Sequence, residues 1–232
     1  MRATHAGALM PHLPPPSDPS VVLLVHPDDA GGIVDRSQYA HTLSVALATV
    51  SSSVPPPSND LAILNSSLLG SLLEADASAE FARTANEPFT IEFSMRIDTA
   101  LTLPDTGYFM AWDDGRYHVV TPLGANLYRV NYVDGSGQTY GDLLGGVWYQ
   151  MAVSYDAFTM RLFVDGVLVD SASKSTAALA GSRKYGILSV PERADLQRFT
   201  GMLAEVRLTI GQARYLVDYT PATAPFPNPS AP

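Results

Sequence analysis

Cysteine is absent from this chain of 232 residues, so neither a disulfide framework nor a thiolate metal site is available, and packed apolar area must stabilise the fold. Positive charge is scarce, because 14 Lys and Arg residues against 23 Asp and Glu residues give a formal net charge of -9. This balance argues against nucleic acid as a partner, since a nucleic-acid groove needs a basic stripe. The apolar runs 21–25 and 68–73 are too short to span a bilayer. The N-terminus shows no secretory signal, so we expect synthesis in the cytoplasm and no membrane insertion.

Apolar residues make up 46% of the chain, which is enough for one sizeable core, and all-β domains of this length often form a single unit. Phe89–Ile97 alternates apolar with polar residues, the period-two pattern of a half-buried strand. Asp165-Gly166 predicts a type I′ hairpin turn, because both central residues of that turn need positive φ. Asp114-Gly115 and Asp134-Gly135 predict two further turns.

Short strands are the main element that the sequence predicts. They are predicted over residues 21–25, 41–50, 89–97, 107–112, 117–121, 127–133, 147–155, 159–164, 167–171 and 201–210. Many short strands separated by Gly, Asp and Pro, with little helical periodicity, predict an all-β antiparallel β-sandwich.

Proline-rich segments divide the chain. Residues 1–19 hold Pro14-Pro15-Pro16 and predict an extended Pro-rich N-terminal arm, either a disordered leader or an arm that docks on a neighbouring subunit. Residues 51–60 predict a surface loop. The Leu and Ala content of residues 61–80 allows a short helix. The predicted organisation is an arm over 1–19, a sandwich over 20–228 and a tail over 229–232.

Three blocks of sequence occur in an order that carries a resemblance. The opening block consists of Val21–Val25 and His26, then Asp28, Gly31-Gly32, Asp35 and His41-Thr42. The middle block consists of Pro88–Phe93, Trp148–Val153 and Leu162–Gly166. The closing block consists of Gly201–Ile210, Gly211–Tyr215, Tyr219–Pro221 and Ala224–Pro227.

Together these blocks, which cover about residues 20–228, resemble the laminin-G/concanavalin A-like jelly-roll domains found in virion proteins of tailed bacteriophages. The resemblance implies a concanavalin-like jelly roll, with strands rather than a helix in residues 61–80. It also implies a place on the surface of a virus particle, reached after synthesis in the host cytoplasm.

Catalytic patterns are weak in this sequence. Glucanases of the same superfamily carry closely spaced carboxylates on one strand, and Glu74, Asp76 and Glu80 come nearest to that pattern. Their spacing is too long, so a solvated acidic loop is the preferred interpretation. No serine lies in a Gly-x-Ser-x-Gly elbow, and the five histidines include no His-x-x-x-His pair. We therefore predict a protein that is not an enzyme.

Calcium is a possible ligand that the predicted fold does not require. Asp28, Asp29 and Asp35 crowd one segment, and Asp113 with Asp114 crowd another. Carboxylates on irregular backbone suit calcium, although aspartate is also an ordinary turn former. Asp28 and Asp35 are the preferred candidate ligands.

Glycan binding would use aromatic rings as platforms. The candidates are aromatic residues in or beside the central strands: Trp112, Tyr117, Tyr128, Tyr132 and Tyr140. The alternative is that these rings pack in the core or against neighbouring strands.

The sequence and the resemblance together predict a non-enzymatic structural protein on the surface of a tailed-phage virion. It would act as a decoration or adhesion module, anchored through its N-terminal arm or one sheet edge. The expected partners are other virion proteins, copies of the chain itself and a host cell-surface glycan. The alternatives are a carbohydrate-binding module or a glycoside hydrolase of the concanavalin-like superfamily, and a cement protein with no external ligand. The position on head or tail and the oligomeric state stay open.

Overall fold

The computed structural model describes residues 18–27, 32–58, 61–65, 72–98, 107–113, 116–134, 137–188, 190–191 and 199–227. Within these ranges the chain forms sixteen β-strands, and its one helical element is a 3-10 turn over Ala79–Phe81. No helix of the described part has the length and apolar character needed to cross a membrane. Nearly all of the predicted N-terminal arm, and the predicted tail over 229–232, lie outside the described residues.

The first eight strands occupy the N-terminal half of the chain: β1 (Val21–Pro27), β2 (Ile33–Asp35), β3 (Leu43–Ala46), β4 (Ala48–Ser51), β5 (Ala62–Asn65), β6 (Leu72–Ala75), β7 (Phe89–Ile97) and β8 (Gly107–Asp113). The other eight are β9 (Arg116–Gly124), β10 (Leu127–Asp134), β11 (Gly137–Leu144), β12 (Trp148–Tyr155), β13 (Thr159–Val164), β14 (Val167–Ser173), β15 (Tyr185–Gly186) and β16 (Gly201–Ile210).

These strands form two antiparallel sheets that pack face to face. Sheet A has nine strands in the order β14-β13-β12-β7-β16-β1-β2, with β5 also paired to β16 and β4 to β5. Sheet B has seven strands in the order β11-β10-β9-β8-β15-β6-β3. The predicted antiparallel sandwich of the jelly-roll class is confirmed.

The core lies between the sheets because each central strand alternates its side chains across them. Phe89, Ile91, Phe93, Met95 and Ile97 of β7 all belong to the buried apolar cluster. Strand β10 buries every second residue in the same way. The alternation read from the sequence therefore identified the residues of β7 that fill the core.

The two ends of the sandwich sequence meet in sheet A. Strand β1 pairs with β16 through Val25 opposite Val206 and Val21 opposite Thr209. The first half of β16 pairs on that same edge with β5. Glu205, which has φ 53, lies at the bulge where the neighbour changes.

The Asp165-Gly166 turn was predicted correctly. Asp165 has φ 48 and Gly166 has φ 78, the two positive values that a type I′ turn requires. It joins β13 to β14 with Val164 opposite Val167. The other two predicted turns lie wholly or partly outside the described residues.

Three local assignments differ from the sequence-based expectation. Residues 41–50 form two strands rather than one, because Leu47 at φ 56 interrupts the extended backbone. In residues 61–80 the described part forms β5 and β6, the strands that the resemblance implied, and the start of the 3-10 turn at Ala79. The sequence missed β2, β11 and β15, of which β11 has the polar composition Gly-Gln-Thr-Tyr-Gly-Asp-Leu-Leu and β15 has only two residues.

Candidate functional site

The outer faces of the two sheets differ in what covers them. Residues 211–227 run across the outer face of sheet A, where Thr90, Ser154 and Phe163 are each 0% exposed. Tyr215 and Tyr219 stack with ring centroids 3.7 Å apart, and both rings contact Phe163. The chain's own C-terminal segment therefore occupies this face.

A buried ion pair fixes that segment. Arg207 donates from Nε and Nη2 to the Glu92 carboxylate at 2.7 and 2.8 Å. The Tyr215 hydroxyl donates to the same carboxylate at 2.6 Å, and the Phe226 ring lies 3.9 Å from the Arg207 guanidinium carbon. These charged groups satisfy one another and are only 12% (Arg207) and 3% (Glu92) exposed, so they are not available to an external ligand.

The outer face of sheet B carries partly exposed polar and aromatic side chains. Alternation along β10 turns Tyr128, Val130 and Tyr132 inward, so Arg129 and Asn131 face outward. Asn131 lies opposite Val119 of β9 and Tyr140 of β11, and Tyr108 of β8 lies opposite Val119. Tyr108 and Tyr140 are thus three strand spacings apart, about 14 Å.

Two aromatic clusters flank this row of residues. Tyr108 and Tyr117 meet edge to face with ring centroids 5.2 Å apart. At the other end, the Arg129 guanidinium carbon lies 4.4 Å from the centre of the Tyr140 ring. Asp142 accepts two hydrogen bonds from Arg129, at 2.7 and 2.9 Å. The hydrogen bonds from Arg129 lower the pKa of Asp142, which keeps its carboxylate ionised.

We call this surface the sheet-B platform and define it by six residues: Tyr108, Tyr117, Arg129, Asn131, Tyr140 and Asp142. It offers ring faces and edges, and a guanidinium that is held in place on both its face and its edge. Carbohydrate sites combine aromatic surface with a few fixed polar groups, and the platform has both.

Of the five predicted glycan-binding rings, three are buried in the structure and two lie on the sheet-B platform. Trp112, Tyr128 and Tyr132 are only 4%, 2% and 1% exposed, so the prediction does not hold for them: they pack between the sheets and have no face to offer a sugar. Tyr117 and Tyr140 lie on the sheet-B platform, where Tyr140 is 45% exposed.

The sequence interpretation missed Tyr108, Arg129, Asn131 and Asp142 of the platform. Residue alternation was the available signal, because Arg129 and Asn131 are out of phase with the apolar Val130.

Asp35 was a predicted calcium ligand, but in the structure its carboxylate is bonded to internal donors. Its carboxylate accepts backbone hydrogen bonds from Leu24, Ser37 and His41 at 2.8 to 2.9 Å. It also accepts the Ser37 hydroxyl at 2.8 Å and lies 2.7 Å from His41 Nδ1. These donors fill the coordination sites that calcium would need. Burial tends to raise the pKa of Asp35, but the hydrogen bonds from His41 and the backbone outweigh it, so the pKa is lowered.

The remaining acidic candidates have partners or lie outside the described residues. Asp28, Asp29 and Asp114 are not described, and neither is the side chain of Asp113. Within the described part of the chain, no three His, Asp or Glu side chains are grouped closely enough to hold a metal ion.

The glucanase-like carboxylates all have a charged or polar neighbour. Lys184 Nζ lies 3.6 Å from Glu74 and 3.5 Å from Asp76, while Glu80 accepts a hydrogen bond from Ser78. Glu74 and Asp76 therefore share one lysine, and Glu80 has a different partner.

Comparisons with known proteins agree with the two-sheet fold described above. The sequence model of the concanavalin A-like lectin/glucanases superfamily matches residues 73–210, more than half of the chain. No curated protein sequence matches the chain.

Among solved structures, the chain is similar to domain 4 of an extracellular arabinanase from Geobacillus stearothermophilus, solved in complex with arabinotriose. The TM-score is 0.51 at 15% identity, over 75% of this chain and 84% of that one. It is also similar to the binding domain of botulinum neurotoxin serotype G, with a TM-score of 0.60 at 11% identity. A third match is the binding domain of botulinum neurotoxin DC in complex with SialylT, with a TM-score of 0.55 at 9% identity.

Each toxin match covers 84% of this chain, which spans about half of the toxin domains, 48% for serotype G and 49% for DC. At these identities the likeness shows a shared fold.

Proposed function

The chain belongs to the concanavalin A-like lectin/glucanases superfamily, and on that premise we propose that it is a non-enzymatic glycan-binding module that binds through the sheet-B platform. The observation that carries the proposal is the pairing of Tyr140 with the Arg129–Asp142 ion pair on an outer face that the described chain leaves partly exposed. Sugars present C–H groups that pack on aromatic rings, and hydroxyls that bond to fixed charged and amide groups.

The arrangement of carboxylates supports binding rather than cleavage. Glycoside hydrolysis needs two carboxyl groups facing one substrate. On the platform, Asp142 is engaged by Arg129, and Glu74 and Asp76 are close to Lys184. Neither place presents such a pair of unengaged carboxylates.

The proposed location is the surface of a tailed-phage virion, where the module would serve in decoration or adhesion. The resemblance of the three sequence blocks supports this location, and glycan binding by the platform is independent of it. Individual contacts to a sugar on one platform are few, so copies of the chain in one particle would raise the avidity. Purified virions in which mass spectrometry detects no copy of the chain would rule out the location.

A glycan array tests the binding function. We expect the protein to bind a defined set of oligosaccharides and Tyr140→Ala to weaken the binding about tenfold, which corresponds to ~1.4 kcal/mol of lost ring contact. Phe158→Ala is the matched control, because Phe158 is 77% exposed and lies on the connection between β12 and β13 of sheet A.

Thermal unfolding of each variant checks that the fold is retained. Equal binding by both variants and the wild type would remove the platform as the site. Cleavage of a bound polysaccharide that is lost in Glu74→Gln would instead favour the glycoside hydrolase alternative.

A further inference from the structure

Arg83 is buried between the two sheets near one end of the sandwich. Its backbone forms an isolated bridge with Leu179, with hydrogen bonds of 3.0 and 2.7 Å. Its side chain is 0% exposed. A guanidinium at such depth requires partners for its charge and for its five N–H donors.

The partners of Arg83 account for only part of that requirement. The guanidinium carbon lies 4.4 Å from the centre of the Phe89 ring and 5.2 Å from that of Trp112. One nitrogen, Nη2, lies 3.4 Å from Asp134 Oδ2. Nε and Nη1 are buried and have no hydrogen-bond partner. The ring faces can offset part of the positive charge of the guanidinium, but they do not accept the hydrogen bonds that its N–H groups donate in the guanidinium plane.

Other polar atoms without a partner surround the same place. Trp112 Nε1 and the hydroxyls of Tyr132 and Tyr185 are buried and make no hydrogen bond. Trp112 and Tyr185 contact each other with ring centroids 5.5 Å apart. Burial raises the pKa of Tyr132 and of Tyr185, so both phenols keep their proton and can donate it. Since buried polar groups are nearly always bonded, several donors left together indicate a ligand that supplies acceptors.

The charge around Arg83 favours an anionic acceptor. Asp134 divides its carboxylate between Arg83 and Arg116, whose Nε lies 3.3 Å from Oδ1. Lys174 donates to the backbone carbonyl of Asp134 and not to its carboxylate. Burial lowers the pKa of Lys174, and the charges of Arg116 and Arg83 lower it further against the opposing effect of Asp134. Three basic residues therefore lie near this single buried carboxylate.

A pocket opens beside Trp112, one of these donors. It has a volume of about 160 Å³ and is lined by Trp112, Arg116, Leu179, Arg183 and two alanines. Ala178, Ala180 and Arg183 are exposed, so the pocket communicates with solvent. Its wall includes the tryptophan that contacts Arg83. About 10–15 Å³ of such space is enough to hold one water molecule, so the volume accommodates an oxyanion group.

We propose that this pocket binds a small oxyanion, held by Arg183, Arg116 and the Nε1 donor of Trp112, while the buried Arg83 guanidinium, 5.2 Å from the Trp112 ring, adds positive charge behind it. Trp112 and Arg83 offer donors and no acceptor, and guanidinium groups match the geometry of carboxylate and of tetrahedral oxyanions. The proposal does not depend on glycan binding by the sheet-B platform.

The test uses Trp112 as a local reporter. Trp148→Phe removes the other tryptophan of the chain. In this background, acetate, glucuronate, sulfate and phosphate are titrated against chloride at constant ionic strength. Tryptophan fluorescence and the thermal midpoint Tm are followed together. We expect a saturable fluorescence change and a concentration-dependent rise in Tm, and a tenfold or greater loss of affinity in Arg183→Gln.

Lys184→Gln is the matched control, because it removes the neighbouring positive charge, which pairs with Glu74 and Asp76 instead. A response to the carboxylates alone identifies a carboxylate site, and an equal response to sulfate and phosphate identifies a general oxyanion site. No saturable change with any of the four anions would overturn the proposal. Equal losses in Arg183→Gln and Lys184→Gln would do so as well, because they would indicate general screening.

Unchanged anion binding in Tyr140→Ala would show that this pocket and the platform are separate sites.

Discussion

Replacing His118 tests how the core responds to pH. His118 lies on β9 and is 0% exposed, with ring centroids 5.1 Å from Phe93, 5.4 Å from Phe109 and 4.8 Å from Tyr132. Neither ring nitrogen has a hydrogen-bond partner. Burial lowers the pKa of His118 from 6.5 to about 3 and outweighs the opposing effect of the Met110 backbone. The native protein therefore holds this imidazole neutral down to acidic pH.

The consequence for stability follows from proton linkage. Below pH 6.5 the unfolded chain binds a proton at His118 that the native state does not bind, so the free energy of unfolding falls as pH falls. The slope approaches about 1.4 kcal/mol per pH unit. The loss reaches about 3 kcal/mol at pH 4.5 and about 5 kcal/mol near pH 3, where native His118 begins to titrate. The total free energy of unfolding of a domain is on the order of 5–15 kcal/mol, so this loss would be a large fraction of it.

The assay is urea unfolding of wild type and His118→Phe at intervals between pH 7.5 and 4. From pH 7 to pH 4.5 the wild type should lose about 3 kcal/mol more free energy of unfolding than His118→Phe does. This expectation holds whatever the difference between the two proteins is at pH 7. Phe109→Leu is the control, because it alters the packing beside His118 and leaves the titrating group in place. Its profile should run parallel to wild type. A parallel profile for His118→Phe would refute the conclusion that the buried ring stays neutral.

Two further perturbations address the internal polar site and the C-terminal segment. Asp35→Asn should destabilise the protein by ~2–4 kcal/mol at pH 7 in urea unfolding, because the carboxylate accepts several buried bonds. Because the pKa of Asp35 is lowered, the difference in free energy of unfolding between wild type and Asp35→Asn should become smaller only below about pH 4. An unchanged difference at that acidic pH would contradict the assignment of Asp35 as an internal hydrogen-bonded carboxylate. Gly166→Ala should cost ~2 kcal/mol or more and expose the segment after Gly211 to proteases, because φ is +78 and a Cβ would meet the Tyr219 carbonyl. Gly124→Ala is its control, with φ +122 and open space around it; equal protease sensitivity would show that backbone strain, not the Tyr219 contact, causes the effect.

The sequence predicted the strands whose pattern is local. Alternation in Phe89–Ile97 and the Asp165-Gly166 pair depend on neighbouring residues alone, and the structure has both the strand and the turn, although β7 is buried on both faces rather than half-buried. The resemblance supplied what local pattern did not, namely strands rather than a helix in residues 61–80. Strand β11 was missed because its two glycines and its polar residues make it a strand only by pairing with β10.

The candidate site was harder to predict because it depends on which face a ring occupies. In β10, Tyr128 and Tyr132 share their phase with Val130, so alternation alone places them in the core. Trp112 is different. Strand β8 has irregular register on both sides of Ala111, and bulges change the phase in a way that residue spacing does not reveal. The assignment of Asp35 also required the structure, since its donors come from β1 and from the segment after β2.

The proposed platform and the proposed oxyanion pocket are adjacent in the fold, although different residues form them. Arg116 and Tyr117 are consecutive on β9; Arg116 lines the pocket and Tyr117 belongs to the platform, because successive side chains of a strand point to opposite faces. The two proposed sites therefore lie on opposite faces of sheet B, and each would bind its own ligand. The chain's own C-terminal segment occupies the outer face of sheet A, so the face of sheet B and this end of the sandwich are where ligand recognition would take place.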